Sequence, residues 1–128
     1  MDLKNIPNIW ITNDKGFSTQ MKFIIVEIGG HFFMAAEKRP TLHERIRQNL
    51  HKKLSELGFK GEYGVHGGGR MGCSYICIFL SETSKKFKEF NPFVAEEIIH
   101  RDFPGKNVES RCGLPRYSLE KPMIFKVT

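Results

Sequence analysis

The feature that most restricts this chain is one apolar stripe between Leu42 and Leu57. Leu42, Ile46, Leu50, Leu54 and Leu57 recur at steps of four, four, four and three. That spacing gathers them on one side of an α-helix and on no single face of a strand. Pro40 precedes the stripe, Thr41 and Glu44 stand in a Thr-x-x-Glu capping relation, and Gly58 follows. The pattern predicts a helix from 41 or 42 to 57. A helix with one apolar face has to lay it on another element.

The flanking segments supply a sheet. Ile9-Trp10-Ile11 reads as a short strand before a turn at Asn13–Gly16. Met21–Ile28 is rich in β-branched and aromatic residues, and Gly29-Gly30 returns the chain so that His31–Ala35 is expected as a hairpin partner. Phe59–Val65 reads as a strand that Gly67-Gly68-Gly69 interrupts, the glycines being read as a hairpin loop. Ser74–Leu80 is apolar enough for a buried strand, with Cys73 and Cys77 expected on one face, and Ser81–Lys88 is a polar, basic loop. Asn91-Pro92 opens a second helix through Val94, Ala95, Ile98 and Ile99, and Pro104-Gly105 closes it. Asn107–Ser110 fits a last strand of the sheet, and an extended tail is expected from Arg111, carrying the short apolar run Met123-Ile124-Phe125. Without regular βαβ alternation, the expectation is an α+β single domain: a mixed sheet of five to six strands with two helices. The domain is placed at 1–110 and a C-terminal extension at 111–128.

Composition narrows the class. At 128 residues there is room for one core, and 40% hydrophobic residues, among them 11 Phe, is globular composition. The runs Phe23–Val26 and Ile76–Leu80 are too short to span a bilayer, and Met1-Asp2-Leu3-Lys4-Asn5 has no signal-like apolar run. A soluble, cytoplasmic monomer with no membrane partner is expected. Cys73, Cys77 and Cys112 are an odd set, suited to a reducing compartment. With His66 or His100 they match no zinc spacing, so structural thiols, no metal and no cofactor are expected. The net charge of +6 favours acidic partners without choosing among nucleic acid, anionic lipid and phosphorylated protein. A nucleic-acid interface built on Arg45, Arg47, Lys52, Lys53, Lys85 and Lys86 is the weaker reading. RNA-binding signatures are absent, and a solvated face accounts for those charges.

His43 is the residue best placed for chemistry. At the second position of the predicted helix it stands among backbone amides that lack intrahelical partners, a setting that favours phosphate and disfavours an imidazolium. A neutral imidazole beside a phosphoryl group serves as nucleophile or general base. By position alone, an ordinary solvated helix-start residue is the commoner reading. Gly67-Gly68-Gly69-Arg70 offers close backbone approach and a bidentate guanidinium, but it lacks the Gly-Lys-Ser/Thr ending of a nucleotide loop. Ser81, Glu82, Thr83 and Ser84 follow an apolar strand where hydroxyls and amides can cradle oxyanions, and Lys22 opens another strand. Each of these has a bland alternative as loop or surface.

Taken in order, the pieces resemble the Janus family of phosphohistidine phosphatases. Ile6-Pro7-Asn8-Ile9 followed by Lys22-Phe23-Ile24-Ile25-Val26 looks like the family's opening. His43-Glu44-Arg45-Ile46 looks like its catalytic His-Ala-Asp-Ile, and Gly67-Gly68-Gly69-Arg70 like its Gly-Gly-Gly-Arg. Ser81 looks like its phosphate-loop serine, and the Ile99-to-Pro104 stretch like its closing helix. The likeness spans about residues 6 to 110. It implies metal-independent removal of phosphate from phosphohistidine-containing proteins. His43 would be catalytic, the Glu44 amide would bind phosphate, and Lys22, Arg70, Ser81 and Thr83 would support it. Ala35 stands where family members carry a basic residue, Leu42 where they carry Tyr, and Glu44-Arg45 where they carry Ala-Asp. A phosphoprotein-binding module of the same fold is the companion reading.

Overall fold

The computed structural model describes residues 2–13, 16, 18–74, 77–81, 84–110 and 122–128. Among these, seven strands form one mixed sheet: β1 Ile9–Ile11, β2 Gln20–Ile28, β3 His31–Lys38, β4 Gly61–Cys73, β5 Cys77–Ser81, β6 Asn107–Ser110 and β7 Met123–Val127. The spatial order is β1-β3-β2-β4-β5-β6, with β7 alongside β4. Two helices, α1 His43–Glu56 and α2 Pro92–Asp102, complete the α+β domain.

The alternation along β2 decides which helix lies where. Ile24, Val26 and Ile28 pack with Ile46, Leu50 and Leu54 of α1. Met21, Phe23 and Ile25 pack on the opposite face with Ala95, Ile98 and Ile99 of α2. Such double burial requires the near-continuous apolar run that the sequence carries. Ile46, Leu50 and Leu54 are fully buried, each contributing ~1.5–3 kcal/mol by area. Leu42 and Leu57, the ends of the predicted stripe, are exposed.

The start of α1 differs from the sequence expectation. The N-cap is Leu42, with no side-chain cap, and the Glu44 carboxylate turns to Arg47 rather than back to a capping threonine. His43 is therefore the first helical residue rather than the second. The α2 cap is as read: Asn91 Oδ1 accepts from the amides of Phe93 and Val94.

The glycine tract is a second correction. Gly67-Gly68-Gly69 does not interrupt a strand as a loop; β4 runs through it. Gly67 has φ +93° beside a bulge opposite Ile24–Val26, a backbone shape that glycine reaches without strain. A Cβ on Gly69 would fall 2.5 Å from Phe90 Cε1. The tract is bare because neighbours press on the strand from both faces.

The cysteines are a third. Cys73 ends β4, pairs with Ile78 and packs on the α2 side, whereas Cys77 begins β5. They share neither a strand nor, by alternation, a face. Cys112 lies outside the described residues. At the C-terminus, Met123–Val127 is β7, antiparallel to Gly61–Val65, and Phe125 stacks on Tyr63 with centroids 5.5 Å apart. The last residues thus belong to the same sheet. No helix among the described residues is long and apolar enough to cross a membrane.

Candidate functional site

The site begins with the ring of His43. Its Nε2 lies 3.0 Å from the carbonyl oxygen of Gly69. A carbonyl only accepts, so Nε2 carries a proton, and in the neutral form of the ring the lone pair is then on Nδ1. Gly68 makes the approach possible, because a Cβ there would sit 2.9 Å from His43 Cδ2. His43 is half-buried at the first turn of α1, where the Leu42 side chain offers the amides no acceptor.

Strand register places the other candidates together. Lys22 of β2 is opposite Arg70 of β4, and Arg70 is opposite Ser81 of β5. Residues directly opposite share a face, with Cβ atoms ~4.5–5.5 Å apart. Ile24 packs against α1, and Lys22, two residues earlier, shares that face. Lys22, Arg70 and Ser81 therefore form a polar row one step along β4 from the carbonyl that holds His43. Thr83 and Glu82 lie outside the described residues.

The side chain of Glu44 is engaged by Arg47 and Lys86. Its carboxylate accepts from Arg47 Nε and Nη2 at 3.0 and 2.6 Å, and Lys86 Nζ approaches within 3.3 Å. The Arg47 hydrogen bonds, opposed by burial and aided by the charges of Arg47 and Lys86, hold the Glu44 carboxyl below its ordinary value. Arg47 also donates to Tyr63 Oη at 3.3 Å and lies 4.4 Å from the centre of the Phe125 ring. One ion-pair network thus ties the helix start to β7 and to the loop after β5. That loop packs back on the site strand: the Ser84 amide donates to Gly68 O at 2.9 Å, and the Gly68 amide to Lys88 O at 3.2 Å. Phe87 anchors it in the α1-side core.

Lys86, read from the sequence as part of a basic loop, is here a partner of Glu44. The feature with no counterpart in the sequence reading is Glu37, 2% exposed, whose carboxylate accepts from Thr12 Oγ1 and Asn49 Nδ2, each at 2.7 Å, and from Asn13 Nδ2 at 3.0 Å. It pairs with Lys22 across β2 and β3, extending the row to Glu37–Lys22–Arg70–Ser81. Its phase was a usable signal, because Phe33, Ala35 and Glu37 alternate on one face of β3. Ala35 is fully buried between its register partners Trp10 and Ile24. Among the described residues no group of three or more His, Cys, Asp or Glu is arranged to hold a metal.

Fold and row together define a small α+β domain with a basic polar site where a helix start meets the sheet. The chain matches no protein-family model and no curated protein.

Proposed function

We infer that the protein is a protein phosphohistidine phosphatase that works without a metal, with His43 at the reacting phosphorus. The observation that carries this reading is the bond from His43 Nε2 to Gly69 O, which puts a proton on Nε2 and, in the neutral ring, leaves the lone pair to Nδ1. A neutral imidazole with a defined lone pair, beside two cationic side chains and a helix start, suits attack on phosphorus or activation of a water. Arg70 and Lys22 would neutralise the phosphoryl oxygens, while Ser81 and the first-turn amides of α1 would donate to them. Either a water oxygen bonds to phosphorus while its proton passes to His43 Nδ1, or Nδ1 itself bonds to phosphorus and water then hydrolyses that phosphoenzyme. In both routes the substrate P–N bond breaks and its departing imidazole takes up a proton. Because that bond is labile, positioning and charge are most of what catalysis requires.

A second reading has an observation of its own. Ala35 is sealed in the core, so the position where the family carries a basic residue brings no charge to the site. A site weakened in this way would bind phosphorylated protein without turnover. Both readings are tested on one sample, with a phosphohistidine peptide and a chelator present. Phosphate release well above the spontaneous rate supports the enzyme. Saturable binding with release at the spontaneous rate supports the module, and neither behaviour leaves the site without a phosphate role.

A further inference from the structure

Glu37 is an expensive residue to keep. Burying a carboxylate costs several kcal/mol unless hydrogen bonds and opposite charge compensate it. Thr12, Asn13 and Asn49 supply the hydrogen bonds, but all three are neutral. Opposite charge comes from the next strand, where Lys22 is directly across from Glu37 and Arg70 is one strand beyond. Glu37 is 2% exposed and Lys22 and Arg70 are half-buried, so charges on these cross-strand neighbours are screened less than on an open surface. The donors also fix the carboxylate in place from two sides, the end of β1 and the middle of α1.

We propose that Glu37 sets the charge of the candidate phosphate site: its buried carboxylate offsets Lys22, so that phosphate is held loosely enough to leave after each cycle. The proposal rests on the reading of this row as a phosphate site. It gives the two ends of the row different jobs. Arg70 and Ser81, farther from the carboxylate, hold the oxygens. Lys22 is shared between the phosphate and Glu37. A site in which no carboxylate at position 37 offsets Lys22 would bind its product more tightly and turn over more slowly.

The test uses the full chain carrying Glu37→Gln, which removes the charge while keeping the shape and one acceptor oxygen. Two quantities are measured: titration of the Lys22 ammonium by its 13Cε shift, and calorimetric binding of inorganic phosphate at low ionic strength. Among the described residues, strand register sets Glu37 and Arg70 opposite Lys22, and α1 brings His43 to the carbonyl of Gly69, next to Arg70. In E37Q, Lys22 should bind its proton about tenfold less tightly, and phosphate should bind about three- to tenfold more tightly. Glu56→Gln, on the exposed last turn of α1, makes the same change in net charge and should alter neither. If E37Q does not fold, the double variant Glu37→Leu/Asn49→Leu removes the charge together with an amide donor it would strand, and the same shifts are expected. A folded variant in which Lys22 titrates as in the wild type overturns the proposal. So does weakened phosphate binding, the result of losing a merely structural strut. Wild-type protein that binds no phosphate overturns the reading of the site itself, an outcome visible before any variant is made.

Discussion

Alanine at position 68 forces a methyl group into space that the His43 ring occupies. An ideal Cβ there lies 2.9 Å from His43 Cδ2, 2.7 Å from the Phe23 carbonyl oxygen and 3.3 Å from Ile24 Cγ2. Phe23 is held in the ladder opposite Gly69, so its carbonyl cannot retreat without opening the sheet. The imidazole is the side chain that can yield, and the remaining contact with the Phe23 carbonyl has to be absorbed by a shift of the paired strands. Moving the ring away breaks the 3.0 Å bond to Gly69 O, a loss of about 1 kcal/mol, and overpacking adds about 1–3 kcal/mol. Gly68→Ala is therefore expected to destabilise the fold by about 2–4 kcal/mol. The second signature is chemical: with the carbonyl gone from Nε2, the ring is free to place its proton on Nδ1. Urea denaturation measures the first effect, and two-bond 1H–15N correlation spectra of the imidazole at neutral pH measure the second. Gly72→Ala, where nothing lies within 4 Å of the added atom, is the control and should stay within about 0.5 kcal/mol of wild type. A folded G68A protein with wild-type stability and an unchanged His43 tautomer refutes the claim that Gly68 is kept bare for the imidazole.

Other expectations follow from the network around the helix start. The Glu44 carboxyl lies below its ordinary 4.5 in the folded state, chiefly through its hydrogen bonds with Arg47. Its stabilisation is therefore complete above that value and fades as pH falls through the lower folded value; Glu44→Gln should flatten the acid limb of stability against pH, and an unchanged limb contradicts the assignment. Tyr63 is 1% exposed, burial pushes its hydroxyl up, and Oη meets both Arg47 and His51. Tyr63→Phe should cost about 1–2 kcal/mol in denaturant unfolding, and a neutral result would mean that water already satisfies those partners. Leu50→Ala opens a cavity between α1 and the sheet at a fully buried position and should cost about 2–5 kcal/mol.

Much of this architecture was legible because its signals are local. The stripe from Ile46 to Leu54 reports a helix packed on one side, and the unbroken apolar run of β2 reports a strand covered on both faces. Asn91-Pro92 announces the start of α2 through cap chemistry, and the spacing of Val94, Ala95, Ile98 and Ile99 carries it on. What misled was context. Glycine is a turn residue by conformational freedom, but Gly67, Gly68 and Gly69 are bare because Glu89, His43 and Phe90 crowd the strand, and those neighbours are distant in sequence. The Thr41–Glu44 capping box failed for a similar reason: Arg47 and Lys86 compete for the same carboxylate and win it. β7 was visible only as three apolar residues, since its stability comes from pairing with a strand some sixty residues earlier. Within the site, His43, Lys22, Arg70 and Ser81 were identifiable one by one, but their alignment in one row is a property of register. Glu37 lies beyond the strand end expected at Ala35, whereas β3 runs on to Lys38 and carries the acid in phase with Phe33 and Ala35.

The central claim is that His43 acts on a phosphoryl group. Its most direct test is a single-turnover experiment on a phosphohistidine peptide, with enzyme in excess and a chelator present, comparing wild type with a His43→Ala protein shown to be folded. The account predicts rapid phosphate release by the wild type and release at the spontaneous rate by the variant. Equal rates in the two proteins, or a wild type no faster than the spontaneous reaction, would contradict it.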